Sequence, residues 1–337
     1  MEQTPKSSRF STFLKAVIGI ALVAILLFRS NLKELLSLWE QMQPFFLLHA
    51  FGFAWIQTYI GAVKLQMILK QAGYEVPMWK LIKISFISLF VGQFIPTQLG
   101  VDGIRIFYLS RHLGHTVDSI SSVALDRFIN LVIITLMGTV SFFASGFYSR
   151  NPELIYVILP IFAGMLLLTV LFFTRNCKYF SWMTQHIRWS GKIAGFFEDL
   201  NDSLKKYDGN FRLILMLIGL SFLFQTARFT TAYYLACALN IHVPYGFFFI
   251  CVPVVTILAM LPFAFAGLGI TQFSTVYIFE LAGIHTEAAL GYAFLQYIFL
   301  IVMSLPGGLF FYLEGMGTLA NAFKRKKKSS APSERSP

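Results

Sequence analysis

The chain has 337 residues, 56% of them hydrophobic, 17% aromatic and only 13% charged, against about a quarter charged in an average soluble domain. Polar residues are too scarce to cover a soluble body of this size, so lipid is the natural solvent and no soluble domain large enough for separate chemistry is expected. The formal net charge of +11 does not point to nucleic acid, because the basic residues fall in loops and tails between apolar runs, where they orient a membrane protein and attract anionic head groups.

The N-terminus, 1–10, is polar and basic (Lys6, Arg9), and Lys15 precedes the apolar run 16–28. Basic and apolar regions in this order resemble a signal peptide, but the run ends in Leu27-Phe28-Arg29 with no small-x-small cleavage site, so it reads as a retained first helix beginning near Ser11. Further apolar stretches occupy 44–69, 81–96, 119–147, 154–174, 211–239, 245–281 and 288–313. A helix of about 20 apolar residues crosses the roughly 30 Å hydrocarbon core. Between them, 176–210 mixes Trp182, Trp189, Phe196 and Phe197 with charged residues and reads as an amphipathic helix on the cytoplasmic face or a linker packed under the bundle. The tail 316–337, with its run Lys324-Arg325-Lys326-Lys327-Lys328, reads as basic and disordered.

The positive-inside rule orients these pieces. The basic termini, the region 64–83 with Lys64, Lys70, Lys80 and Lys83, the segment 105–115 with Arg105 and Arg111, and the stretch 174–212 all read as cytoplasmic. The nearly charge-free segments 147–152 and 240–244 read as external. Parity then requires 81–103 and 245–281 each to leave by the side they entered. Pro96, Gly100 and Gly103 interrupt the first, and Pro262, Gly267 and Gly269 the second. The expected fold is all-α and integral to the membrane, with about six transmembrane helices plus two broken re-entrant hairpins entering from opposite faces. Irregular backbone at membrane depth is tolerated only where it is buried in protein or lines a wet cavity, so paired breaks mark a binding site.

The two halves also match weakly. Gln57-Thr58 corresponds to Gln225-Thr226, Val76-Pro77 to Val243-Pro244, and Gly103 and Gly269 each follow Pro96 and Pro262 at the same spacing. Units of about 44–147 and 211–313, oppositely oriented by charge, form the inverted repeat of many secondary transporters. The membrane domain as a whole is expected over 11–315.

The segment Pro96-Thr97-Gln98-Leu99-Gly100-Val101-Asp102-Gly103-Ile104-Arg105, the pair Asp126-Arg127 and the segment Leu261-Pro262-Phe263-Ala264-Phe265-Ala266-Gly267-Leu268-Gly269 agree in order and spacing with a known pattern. They resemble the P-x-x-x-G-G-D-x-x-R signature, the acidic-Arg pair and the P-x-x-x-G-G-L-G signature of the lysylphosphatidylglycerol synthase transmembrane region, or flippase-like, family. The resemblance covers nearly the whole chain, with Val101 and Ala266 standing where the family usually has glycine, and Gln272 about where a Glu is often found. It implies translocation of a polar lipid, such as an aminoacylated phospholipid or a polyprenyl-linked sugar, between leaflets of the cell membrane, with a separate lipid-modifying synthase as a possible partner. The aminoacyltransferase activity of the family's fused members is not expected.

Arg228, near the middle of 211–239, carries a charge that costs at least about 2.5–3.5 kcal/mol at that depth. It suits either a structural partner inside the bundle or a head-group phosphate ligand, and Gln225 lies about one turn away on the same face. Asp102 and Arg105 suit either a local ion pair at the break or a polar mouth for the head group. Asp126 and Arg127 are adjacent, point about 100° apart and so seek different partners; a network between the repeats is the favoured reading. Cys177, Cys237 and Cys251 form no CxxC, and His112 and His115 are the only close histidine pair, so neither a disulfide framework nor a metal or other cofactor is expected. With no Walker motif, movement is read as downhill or ion-coupled. An intramembrane enzyme or accessory subunit acting on lipid-linked substrates and a small-solute transporter are the alternatives, though no catalytic spacing supports the enzyme.

Overall fold

The computed structural model describes residues 37–94, 100–145, 206–207, 210–259 and 269–329, with positions 160 and 164, and side chains as far as 314. Its helices are α1 (Pro44–Gln71), α2 (Met78–Gly92), α3 (Gly100–Leu113), α4 (Thr116–Ala144), α5 (Phe211–Ala238), α6 (Phe248–Ala259, after a 3-10 turn at Tyr245–Phe247), α7 (Ile270–Leu281) and α8 (Thr286–Ser329). No strand occurs among the described residues. The expected first helix, nearly all of the 154–174 span and of the 176–210 linker, and the breaks at Pro96, Pro262 and Gly267 lie outside them.

Among the described residues four helices are long and apolar enough to cross a membrane: Pro44–Gln71, Thr116–Ala144, Phe211–Ala238 and Thr286–Glu314. They are apolar on both faces. In α5, Leu217 and Phe229 are buried while Phe211, Leu215, Phe222 and Leu223 stand exposed. Such a helix is unfavourable at a water interface and at home with one side in a bundle and the other in lipid. The remaining helices are shorter. At 1.5 Å per residue α2 and α3 reach about 22 and 21 Å and α6 and α7 about 18 Å, short of the hydrocarbon core.

Each short pair packs as a hairpin. In the first, Val101 at the start of α3 lies against Gly92 at the end of α2, and Lys80 Nζ at the opening of α2 is 2.7 Å from His112 Nδ1 near the end of α3. The two legs therefore run antiparallel. A Cβ on Gly92 would stand 2.7 Å from the Val101 Cα, so the leg before the break makes room for valine at 101. In the second, Phe247 and Phe248 at the opening of α6 stack edge-on against Phe279 near the end of α7, at 5.1 and 6.2 Å between ring centroids.

The long helices decide where these hairpins point. Gln43 N donates to Ala238 O, and Asn210 Nδ2 to Gln71 Oε1, so α1 and α5, the most extensively packed pair, run antiparallel. Hairpin α2–α3 leaves from the end of α1 and hairpin α6–α7 from the end of α5, at opposite ends of that pair. The two departures share their local structure. After α1, Gly73 takes φ 92° and the Gly73 and Tyr74 amides donate to the Lys70 and Leu69 carbonyls; after α5, Asn240 takes φ 57° and the Asn240 and Ile241 amides donate to Cys237 and Ala236. Both are Schellman turns, which glycine and asparagine tolerate best. Pro77 (φ −65°, ψ 142°) and Pro244 (φ −58°, ψ 142°) then start the next helices.

Pairing between elements repeats as well. Exchanging α1 to α4 with α5 to α8 turns the packed pair α2·α8 into α6·α4, α2·α3 into α6·α7, and α3·α4 into α7·α8. Both hairpin-to-span crossings are made close by glycine. A Cβ on Gly138 of α4 would lie 2.9 Å from Pro253 of α6, and one on Gly307 of α8 would lie 1.9 Å from the Phe86 carbonyl oxygen of α2. The main core joins α1, α4, α5, α6, α7 and α8 with Phe86 of α2, and a second cluster joins α1 to α4.

Two expectations are corrected. Gly103 is not a break residue: it lies inside α3, exposed, with nothing within 4 Å of a built Cβ. The tail 316–337 is not disordered from its start, since α8 continues to Ser329 and takes in the basic run at 324–328. Lysine and arginine are good helix formers, and the helix need only propagate, not nucleate.

Candidate functional site

The polar residues of the bundle converge where α1, α3, α4 and α5 meet. Lys64 of α1 is fully buried, its Nζ 2.7 Å from Asp126 Oδ1 and 2.7 Å from Asn130 Oδ1, both on α4. Asp126 and Asn130 lie one turn apart, and Asn130 Nδ2 donates to Asp126 Oδ2 at 3.3 Å. Lys64 also sits 5.4 Å from the centroid of the Phe224 ring on α5, a cation–π contact strengthened by desolvation. Gly61 admits that ring edge, which would come within 3.3 Å of a Cβ there. Grouping Lys64 with the orienting loop lysines is therefore wrong. It is a core residue, whose charge is met by a carboxylate, an amide oxygen and an aromatic face.

Asp102 and Arg105 do not pair with each other. Asp102 Oδ2 accepts from Arg127 Nε at 2.5 Å, tying hairpin leg α3 to α4. Arg105 instead approaches Asp126 Oδ2, at 4.0 Å, beyond hydrogen-bond range. Asp126 and Arg127 thus find different partners, as adjacent helical positions must. On the second unit, Gln225 is buried and its Nε2 donates to the Asn130 carbonyl at 3.2 Å, the direct polar link from α5 into the cluster. Arg228 Nη2 donates to Thr256 Oγ1 of α6 at 2.9 Å, and that hydroxyl donates in turn to the Val252 carbonyl at 2.6 Å. Arg228 lies within electrostatic reach of Arg127.

Besides Asp126 Oδ1, which faces the Lys64 ammonium at 2.7 Å, three buried atoms of this cluster have no hydrogen-bond partner among the described residues: Asp102 Oδ1, Arg105 Nε and Gln225 Oε1. A buried polar atom left unpaired costs about 1–3 kcal/mol, and unpaired atoms gathered in one place mark where a ligand or water completes the arrangement. The cluster is open on one side, for Arg127 is 38% exposed and Arg105 18%.

The sequence-expected residues Asp102, Arg105, Asp126, Arg127 and Gln225 are thus brought together, while Arg228, one turn beyond Gln225 on α5, hydrogen-bonds to Thr256 of α6 instead. Gly100 opens α3, two residues before Asp102. Gly269 (φ 82°) caps α7, and its amide donates to Gln272 Oε1 at 2.7 Å, so the glutamine at the departing position closes the helix start. Lys64, Asn130 and Thr256 were missed. The available signal for Lys64 was its place inside the 44–69 stretch, where a lysine needs a buried acid such as Asp126.

A separate polar patch anchors the end of the linker. Lys206 Nζ reaches Asp118 Oδ1 at 2.7 Å, Tyr74 donates to Asp118 Oδ2 at 2.5 Å, and the Tyr207 and Ser122 hydroxyls meet at 3.0 Å. Burial first, and then the Asp118 hydrogen bond, push the Tyr74 phenol up to about 12. Of the two acids at helix ends, Glu280 accepts from Thr286 and Glu314 pairs with Lys83 at 3.2 Å.

No curated protein matches the chain. A family model matches residues 15–308, a range that takes in both hairpins, the α1–α5 pair and every residue of the polar cluster, and on that match the chain belongs to the lysylphosphatidylglycerol synthase TM region family.

Proposed function

We propose that this protein moves a polar lipid between the two leaflets of the cell membrane, the head group passing through the polar cluster while the acyl or prenyl tails stay in the bilayer. The observation that carries the reading is the open cluster of Lys64, Asp102, Arg105, Asp126, Arg127 and Gln225, set between apolar helices and holding unpaired donors and acceptors. A charged cluster in a membrane protein is expensive and marks a pathway. Family membership supports lipid as the cargo.

Two short hairpins that open at opposite ends of the antiparallel α1–α5 pair support a re-entrant inverted repeat, with the first helix and the 154–174 segment supplying the remaining spans. Such repeats place the cargo site at the junction between units, and Gln225 reaches across that junction to Asn130. The Lys83–Glu314 contact sets the open end of the first hairpin beside the basic end of α8, which supports a cytoplasmic C-terminus by the positive-inside rule.

The test is purified protein in liposomes carrying a fluorescent phospholipid, quenched from outside. Proteoliposomes are expected to lose label from both leaflets, and empty vesicles from the outer one only. Chemical change of the lipid, read by mass spectrometry, would instead favour an intramembrane enzyme.

A further inference from the structure

Five charged side chains of the cluster are joined by short contacts. Lys64 Nζ lies 2.7 Å from Asp126 Oδ1, Arg105 Nη1 4.0 Å from Asp126 Oδ2, and Arg127 Nε 2.5 Å from Asp102 Oδ2. Three cations meet two anions, so the group carries one positive charge in excess. Arg105 is the cation least provided for. Its only carboxylate among the described residues is beyond hydrogen-bond range and already held by Lys64, and its buried Nε has no acceptor. Asp126, which faces it, stands ten residues into the 29-residue α4, about 15 Å along the span. Surplus charge at that depth is expensive, and a bound anion relieves it.

A second requirement lies one turn away on the same helix. Asp102 and Arg105 are three residues apart on α3, which sets their side chains on one face, about 5–6 Å between Cβ atoms. Both turn to the adjacent positions 126 and 127 of α4. Asp102 is 6% exposed; its Oδ2 is given to Arg127, and its Oδ1 is buried without a donor. The pair therefore asks for an anion at Arg105 and a hydrogen-bond donor beside it at Asp102. A phosphodiester of glycerol, inositol or a sugar carries both on one short head group, with oxygens for the guanidinium fork and hydroxyls for the carboxylate. Its single negative charge equals the surplus. An ammonium also donates, but it adds positive charge to a group that already has one too many.

We infer that the cluster selects a singly charged phosphodiester head group bearing free hydroxyls over ammonium-bearing and hydroxyl-free head groups, with Arg105 holding the phosphate and Asp102 Oδ1 accepting from a hydroxyl. The inference rests on the lipid-translocation reading and names its substrate class.

Full-length protein in phosphatidylcholine nanodiscs tests it, by thermal-shift titration with three doped lipids: phosphatidylglycerol, phosphatidylethanol (the same charge without hydroxyls) and phosphatidylethanolamine. Phosphatidylglycerol is expected to reach half-effect at a mole fraction about tenfold below either of the others, the ratio that one charge-assisted hydrogen bond supplies. Arg105→Gln should bring phosphatidylglycerol and phosphatidylethanolamine within about twofold while keeping the preference over phosphatidylethanol, and Arg105→Lys should restore part of what is lost. Asp102→Leu combined with Arg127→Met removes the hydroxyl acceptor without stranding a charge and leaves the surplus at one. This double variant should lose the preference over phosphatidylethanol and keep that over phosphatidylethanolamine. A folding defect cannot produce two opposite losses. Equal response of the wild type to phosphatidylglycerol and either other lipid overturns the inference, as does either variant keeping both preferences or losing both. Soluble glycerophosphoinositol that competes with phosphatidylglycerol supports the shared chemistry. Its binding without any phosphatidylglycerol effect assigns the site to a soluble phosphodiester and overturns the lipid class. Translocation in liposomes without these preferences leaves the transport reading standing and removes the inference alone.

Discussion

Lys64 Nζ lies 2.7 Å from Asp126 Oδ1, with the lysine fully buried and the aspartate nearly so. Removing one partner of such a pair strands the other charge, at a cost of about 3–5 kcal/mol, while replacing both by apolar residues of like volume is far milder. Lys64→Met and Asp126→Leu are each expected to lower the melting temperature of purified protein sharply. The double variant should recover most of the loss, and a double variant as unstable as the sum of the singles contradicts the pairing.

The α2–α8 crossing is set by Gly307. Its built Cβ would lie 1.9 Å from the Phe86 carbonyl oxygen, a backbone atom unable to step aside. Gly307→Leu should destabilise by about 3 kcal/mol, the upper end of overpacking. Gly103→Ala, on an exposed helical site with open space, should gain about 0.5–1 kcal/mol. Thermal unfolding of both variants in one detergent decides it.

Gln272 caps α7 by accepting from the Gly269 amide. Gln272→Ala should cost about 0.5–2 kcal/mol, the usual value of a helix N-cap. Gln272→Glu should keep the cap and the melting temperature.

Tyr74 reports on the linker anchor. Its phenol is raised to about 12 by burial and by the bond to Asp118. A phenol with a raised pKa favours the folded contact fully below its ordinary value near 10, and that contribution fades as pH climbs through 12. The difference in phenolate absorbance between wild type and Tyr74→Phe should therefore rise near pH 12. In Asp118→Asn the same step should move toward 10; a step already near 10 in the wild type contradicts the contact.

Much of this arrangement is legible in the sequence, for physical reasons that also mark where reading stops. The spans 44–69, 119–147, 211–239 and 288–313 emerge within a few residues as α1, α4, α5 and the apolar part of α8, Thr286–Glu314, because length and apolarity are what lipid demands. Val76-Pro77 and Val243-Pro244 mark equivalent turns, because proline constrains the backbone wherever it stands. Pairings across helices were harder to see. Asp102 reaches Arg127 rather than Arg105, since α3 turns both Asp102 and Arg105 toward α4, where each meets an opposite charge, and helical spacing alone says nothing of a neighbouring helix. Lys64 was misplaced because positive charge near a span end is weighed as orientation, and only packing shows that it turns inward.

The central claim is that the two hairpins open toward opposite faces of one bilayer. The most direct measurement is labelling of single cysteines by a membrane-impermeant maleimide in sealed vesicles, with Cys177, Cys237 and Cys251 replaced. His112→Cys at the open end of the first hairpin and Ala282→Cys at that of the second are predicted to react from different sides. Reaction of both from the same side would contradict the account.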